Sequence, residues 1–271
     1  MVEASVYLPF ESIQNCRDLA GMKTESGLVI KPGCLLRSAD LSHANTHDLL
    51  TLEYMNIQDV IDLRTNSEIL LHPDRPIPNA SHYHASIYNI SDIEKDTGGT
   101  AKTLYDVFED SLELAQEVYR ICVTDPKSIL AWRKFFQVLL AAPAGTLFHC
   151  TQGKDRTGIG AALIETALGV NKATILADYL QTNLYTRPEA TRDNFWAEEI
   201  LGSHDKMVEA DIDTYLYAHK SCFEAASHAI EERWGSWMNY LHEAIGLTDE
   251  DIATLRHKYL ETPKQAALAL D

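Results

Sequence analysis

Short apolar runs alternate with polar breaks over the first half of the chain, and helical spacing takes over in the second. "DVIDLR" (59–64) and "SHYHASIY" (81–88) read as sheet strands, with "HPDRPIPN" as the loop between them. In "GLVIKPGCLLRSA" two apolar runs flank Lys31-Pro32-Gly33, a hairpin or turn signal. "NISDIEKDTGGTAK" (89–102) is polar and poor in core residues, which predicts a mobile loop. "TLYDVFEDSLELAQEVYRIC" and "KSILAWRKFFQVLLAA" then carry apolar residues at helical spacing, such as Ile129, Trp132, Phe136 and Leu139.

"AGTLFHC" (144–150) is short and apolar, with Pro143 and Gly145 at its start, and predicts a central strand. "TGIGAALIETALG" (157–169) is apolar nearly all round, hence a buried helix. From "NKATILADYLQTN" onward only helical patterns occur, and Thr248 stands three residues before Asp251 in an approximate capping box. Strands alternating with helices, then a helical tail, predict one α/β domain over 1–271. Residues 89–125 form its expected lid or acid-loop region, and 171–271 its helical extension.

Composition narrows the function classes. The 271 residues are 45% hydrophobic and 23% charged, ordinary for a globular chain. A formal net charge of -17 argues against a nucleic-acid partner and against stable association with an anionic membrane. The start, "MVEASVYLPF", lacks the basic flank and apolar core of a secretory signal, so none is expected. Five scattered cysteines without a C-x-x-C pair disfavour a disulfide framework or zinc site and point to the reducing cytoplasm.

One loop concentrates reactive groups. "LFHCTQGKDRTGIGAALI" (147–164) places His149, Cys150, Thr151, Gln152, Gly153, Lys154, Asp155, Arg156 and Thr157 between the predicted strand and helix. Backbone N–H groups ahead of a helix converge on one concavity, which suits phosphate oxygens. Gly153 lets the backbone turn, and Arg156 can grip two phosphate oxygens with its planar fork. The same N–H groups and arginine stabilise a thiolate, so Cys150 should be a nucleophile. Thr157 could donate a hydrogen bond to that sulfur, and His149 should orient the loop rather than act as the base. A lone cysteine is usually a small core residue; the company it keeps here argues for chemistry.

H-C-x-x-G-K-D-R-T-G resembles the signature loop of the cysteine-dependent phosphatases, in the form found in atypical tyrosine and lipid phosphatases of bacteria and fungi. "NCRDLAG" (15–21), "LLRSADLS" (35–42) and "VIDLRTNSE" (60–68) resemble that family's other motifs, as do "ADYLQTN" (177–183) and "WGSWMNYL…GLTDEDIATLR" (234–256). Cys16 replaces the usual aromatic residue and Ala20 a glycine. The resemblance implies the cysteine-phosphatase fold, a central mostly parallel sheet flanked by helices with helical C-terminal additions. It implies a cysteinyl-phosphate on Cys150, with Arg156 and the loop amides on the equatorial oxygens and no metal or other cofactor. Lys154 and Asp155 match positions associated with phosphotyrosine, phosphoserine/threonine and phosphoinositide substrates.

A leaving group needs a proton, so an acid should overhang the loop. The W-P-D signature of conventional tyrosine phosphatases is missing, and Asp92, in the polar segment, is the expected donor. Asp96 and Asp125 compete for the role. Asp62 and Arg64, at the end of a strand, should pair with each other or brace neighbouring loops, as should Arg17, Asp18 and Arg37; Arg64 could still lie near phosphate. His43 and His47 lack the glutamate of a metalloprotease motif, and "GIGAAL" lacks a third dinucleotide-binding glycine. The expected activity is phosphomonoester hydrolysis, most simply of protein phosphotyrosine with dual specificity. A phosphoinositide or small-molecule phosphatase, or a non-catalytic phosphate-binding module, are the alternatives.

Overall fold

The structure is a computed structural model that describes residues 5–87, 111–186, 214 and 216–263. Six strands form one sheet: β1 (Val6–Tyr7), β2 (Arg17–Asp18), β4 (Leu35–Ser38), β5 (Ile57–Asp62), β6 (Ser81–His84) and β7 (Gly145–His149), ordered β1-β2-β4-β7-β5-β6. The pairings β4/β7, β7/β5 and β5/β6 are parallel, and β1/β2 and β2/β4 are antiparallel. The sheet is mixed and mostly parallel, with antiparallel strands at one edge.

Alternation along β7 explains its central place. Leu147 packs with Leu36, Val60 and Ile77 on one face, while Phe148 packs with Leu35, Ile61 and Phe135 on the other. All five β7 residues are buried, and each large apolar side chain so placed contributes about 1.5–3 kcal/mol. Helix α1 (Thr46–Tyr54), capped by Asn45, covers the first face through Leu49 and Leu52. Over the second face lie α3 (Ser111–Thr124), α4 (Pro126–Ala141) and α5 (Asp155–Leu168). Helices α6 (Lys172–Gln181) and α7 (Lys220–Trp234), the short α8 (Trp237–Asn239) with the π-helical turn that continues it (Tyr240–Ile245), and α9 (Asp249–Tyr259) complete that layer. Every residue of α5 except Asp155 and Thr166 is buried, as its all-round apolar pattern requires.

Three expectations are refined. Of the hairpin or turn expected at Lys31-Pro32-Gly33, the turn is what forms: β3 (Val29–Ile30) pairs not with the next run but with β8 (Leu260–Glu261) in a second, two-stranded sheet. Gly33 (φ +71) turns the chain so that β4 enters the main sheet instead. The 171–271 region is therefore not wholly helical, because two residues suffice for a strand when a partner edge is waiting. The capping box of Thr248 and Asp251 is present in full. Within 89–125, residues 111–124 are helix α3, whose apolar side chains reach the core at Leu114, Tyr119, Cys122 and Val123. The predicted loop of 89–102 lies outside the described residues. Helix α2 (Asn66–Leu71), between β5 and β6, has no periodic signal long enough to predict; its Thr65/Glu68 capping box starts it.

Candidate active site

Parallel register brings three strand ends to one level, since His149 stands opposite both Ser38 of β4 and Asp62 of β5. The loop from Cys150 to Lys154 leaves the sheet there, beyond the carboxyl ends of the strands, where open α/β sheets hold ligands. Cys150 is buried at the start of the loop. Gly153 adopts φ +65, and a Cβ on it would lie 2.4 Å from the carbonyl carbon and oxygen of Ser38. Only glycine lets the loop pack this closely on the end of β4. Gly158 serves α5 similarly, because a Cβ there would meet the Tyr179 ring at 2.8 Å.

Arg156, in the first turn of α5, meets Glu68 of α2 end-on: Nη1 lies 2.7 Å from Oε2 and Nη2 2.6 Å from Oε1. The Thr151 hydroxyl donates to the same carboxylate at 2.6 Å. Burial pushes the Glu68 carboxyl up, but the Arg156 charge and these hydrogen bonds outweigh it and hold the group at about 2. Burial alone would lower Arg156; Glu68, and then the Cys150 sulfur, raise it above its ordinary value. Glu68 thus keeps Arg156 a permanent cation at the helix end of the loop that begins at Cys150.

Beneath the loop, His149 is fully buried, with Nε2 3.0 Å from Asp74 and Nδ1 3.2 Å from the Cys150 carbonyl. Burial would lower its basicity, yet Asp74 and Asp62 raise it to about 9, so the ring is a cation at neutral pH. Asp74 is held at about 2, its burial outweighed by His149 and Arg64. Arg64 lies 2.7 Å from Asp62 and 2.9 Å from Asp74 and donates to the His72 carbonyl at 2.8 Å. Asp62, Asp74 and His149 could be spanned by one metal ion. Their chemistry is wrong for one, because a guanidinium already neutralises the carboxylates and the imidazole carries a proton. Asp62 and Arg64 thus pair with each other, and Asp74 joins Arg64 to His149, whose ring meets the Cys150 carbonyl.

The remaining loop residues separate by role. Lys154 is 3% exposed; its ammonium donates to the Tyr217 carbonyl at 3.3 Å and lies 3.6 Å from Asp155. Asp155 accepts from the Tyr119 hydroxyl, which pairs with that of Tyr179 at 2.7 Å. The side chains of Lys154 and Asp155 are therefore engaged with α3 and the residues before α7. The Thr157 hydroxyl is buried without a partner among the described residues, so the expected bond to the Cys150 sulfur is not formed. Asp125 caps α4, accepting from the N–H groups of Lys127 (2.8 Å) and Ser128 (3.3 Å). Asp92 and Asp96 lie outside the described residues.

Behind the loop, Arg17 and Arg37 converge on Asp178 of α6 at 2.9 and 2.5 Å. Asp18 instead accepts from the N–H groups of Ala20 (3.0 Å) and Gly33 (2.6 Å). Glu165 of α5 faces Asp178 in this interior, and burial together with that neighbour raises its carboxyl well above the ordinary range. Glu68, Asp74, Asp178 and Asn15 are the site residues that residue-by-residue reading overlooks. Glu68 had a signal, the T-N-S-E spacing of a capping box directly after "DLR".

Residues 8–261 match the profile described as the tyrosine phosphatase family. A Cupriavidus necator protein assigned the name tyrosine-protein phosphatase is 28% identical over 255 residues, covering 93% of this chain and 88% of its own. The triple specificity protein phosphatase PtpB of Mycobacterium tuberculosis is 28% identical over 269 residues, covering 89% of this chain and 95% of its own. A tyrosine-protein phosphatase of Nostoc commune is 27% identical, covering 84% and 74%. The crystal structure of P. aeruginosa TpbA overlaps loosely, with a TM-score of 0.35 at 16% identity over 65% of this chain and 84% of its own. Among the described residues no helix is long and apolar enough to cross a membrane.

Proposed function

The chain belongs to the tyrosine phosphatase family, and from that premise we propose that it hydrolyses phosphomonoesters through a phosphocysteine on Cys150. The observation that carries the reading is the Glu68–Arg156 pair, which fixes a permanent cation at the helix end of the strand-to-helix turn that starts at buried Cys150. The Cys150 sulfur attacks phosphorus, the S–P bond forms and the ester P–O bond breaks. Asp92 gives its proton to the leaving oxygen. Water then attacks phosphorus, its proton passes to Asp92, the S–P bond breaks and inorganic phosphate leaves. The N–H groups of the loop and the outer face of Arg156 stabilise the three equatorial oxygens throughout.

The substrate is a phosphorylated molecule, and we assign it to phosphotyrosine peptides or small phosphate esters rather than polyphosphorylated lipid. Lys154 supports this, since its ammonium is spent on Tyr217 and Asp155 and is not extended toward a second phosphate. The triple specificity named for the M. tuberculosis relative supports a substrate range wider than a single class. All five cysteines are free thiols, which supports a cytoplasmic setting. Phosphate release from phosphotyrosine, phosphoserine and phosphothreonine peptides, phosphoinositides and small esters, with Cys150→Ser as blank, tests the proposal. Fastest release from phosphotyrosine peptide or small ester is expected; equal release by the variant refutes the mechanism.

A further inference from the structure

Three successive carbonyls of the loop are held from outside it. Thr151 O accepts from the Asp40 N–H at 3.1 Å. Gln152 O accepts from Asn15 Nδ2 at 3.2 Å. Gly153 O accepts from Asn15 Nδ2 at 3.0 Å and from Arg37 Nη2 at 2.9 Å. Among the described residues no peptide bond is cis, and in a planar trans peptide the C=O and N–H point in opposite directions. Anchoring these carbonyls outward therefore aims the N–H groups of Gln152, Gly153 and Lys154 into the cup floored by Cys150.

The two side-chain anchors are themselves fixed. Asn15 is 1% exposed and sits at φ +51, a left-handed conformation that asparagine tolerates better than most residues. Arg37 is fully buried, and its two terminal nitrogens divide their work: Nη1 lies 2.5 Å from Asp178 Oδ2 while Nη2 takes the Gly153 carbonyl. Asp178 is held in turn by Arg17 Nη1 at 2.9 Å and by the Ser5 hydroxyl. A rotated 153–154 peptide would present a carbonyl dipole to the phosphate dianion instead of an N–H.

We propose that Asn15 and Arg37 are positioning residues for phosphoryl transfer: from behind the loop they hold the Gln152 and Gly153 carbonyls outward and so preorganise the N–H groups that bind the equatorial oxygens. The proposal rests on the reading of residues 150–156 as a phosphate loop. Neither residue touches the substrate. Their effect is on where the donors point before substrate arrives, and donors already in place need no reorganisation at the reaction step.

Tungstate, a tetrahedral oxyanion, is the probe, titrated into the full chain carrying Cys150→Ser and labelled with ¹⁵N-glycine. The Gly153 amide resonance moves as tungstate binds. In Asn15→Gly, which keeps the positive φ, and in Arg37→Lys, which keeps the charge beside Asp178, the dissociation constant rises roughly 10- to 100-fold. With Cys150 restored, the same substitutions lower kcat for p-nitrophenyl phosphate more than they raise KM, because the donors count most in the transition state. Melting curves establish that each variant folds. Variants that fold and bind tungstate as tightly as their parent overturn the proposal, and so does a Gly153 amide that stays still while tungstate binds. The second result needs no substitution behind the loop, so it decides the matter even where a variant fails to fold. A parent that binds no tungstate overturns the phosphate-loop reading itself and the proposal with it.

Discussion

Glu68 grips Arg156 by both ends of its guanidinium, at 2.6 and 2.7 Å, with the two side chains each only 8% exposed. The pair links α2 to α5 across the mouth of the loop, and the Thr151 hydroxyl ties the loop to the same carboxylate. Glu68→Gln keeps the shape and removes the charge. Breaking a buried pair from one side costs about 3–5 kcal/mol of stability, and an Arg156 cation no longer held in place should lower kcat roughly 10²-fold. Urea unfolding and steady-state kinetics measure the two effects. The pair also sets an acid limit: the Glu68 carboxyl sits at about 2 against an ordinary 4.5, so its contribution is present above pH 4.5 and is lost as pH falls through 2.

The proton donor is expected at Asp92, with Asp125 occupied as a helix cap. Asp125→Ala should cost about 1 kcal/mol of stability, the usual worth of an N-cap, and leave turnover unchanged. Asp92→Asn should slow hydrolysis of an alkyl phosphate by about 10²-fold or more. It should slow p-nitrophenyl phosphate less, because nitrophenolate leaves readily without a proton. Comparing the two substrates with both variants checks the assignment, which fails if Asp92→Asn turns over the alkyl phosphate normally.

His149 predicts an alkaline weakness. Its imidazole is raised from 6.5 to about 9 by Asp74 and Asp62 against the opposing effect of burial. A raised base stabilises the fold fully below pH 6.5, and the contribution disappears as pH climbs through 9. The unfolding free energy should therefore fall between pH 7 and 9.5. Asp74→Asn should shrink that fall, which denaturant titrations across this range will show.

Glu165 predicts the opposite of an ordinary carboxylate. Buried beside Asp178, it keeps its proton in the folded chain far above the 4.5 at which the unfolded chain releases it. Stability linked to this group is whole below pH 4.5 and declines as pH rises above it. Glu165→Gln, a neutral isostere, should be close to parental at pH 4.5, and its advantage in melting temperature should grow toward pH 8. A variant less stable than the parent at pH 8 contradicts this.

Much of the site was legible because its signals are local. The strand over 144–150, the buried helix after it and the loop between them follow from short apolar runs, glycines and one cluster of polar residues. Asp62 with Arg64 was readable because two residues of one strand end can reach each other. What stayed hidden depends on partners far apart in the chain. Nothing near Asp178 announces that Arg17 and Arg37 will meet on it, and Asp74 reads as one more loop aspartate until β7 brings His149 beside it. Glu68 entered only as the last residue of "VIDLRTNSE", since its pairing appears when α5 arrives 88 residues later. The β3/β8 pair escaped for the same reason, as two-residue strands carry no alternation to detect.

In the proposed reaction phosphate passes through the sulfur of residue 150. Rapid acid quench of the enzyme turning over a ³²P-labelled phosphotyrosine peptide, followed by mapping of the labelled fragment, tests it most directly. Label bound through phosphorus to Cys150 is expected, formed within the first turnover and lost on chase with unlabelled peptide. Turnover without any labelled Cys150 fragment, or undiminished turnover in Cys150→Ser, would contradict it.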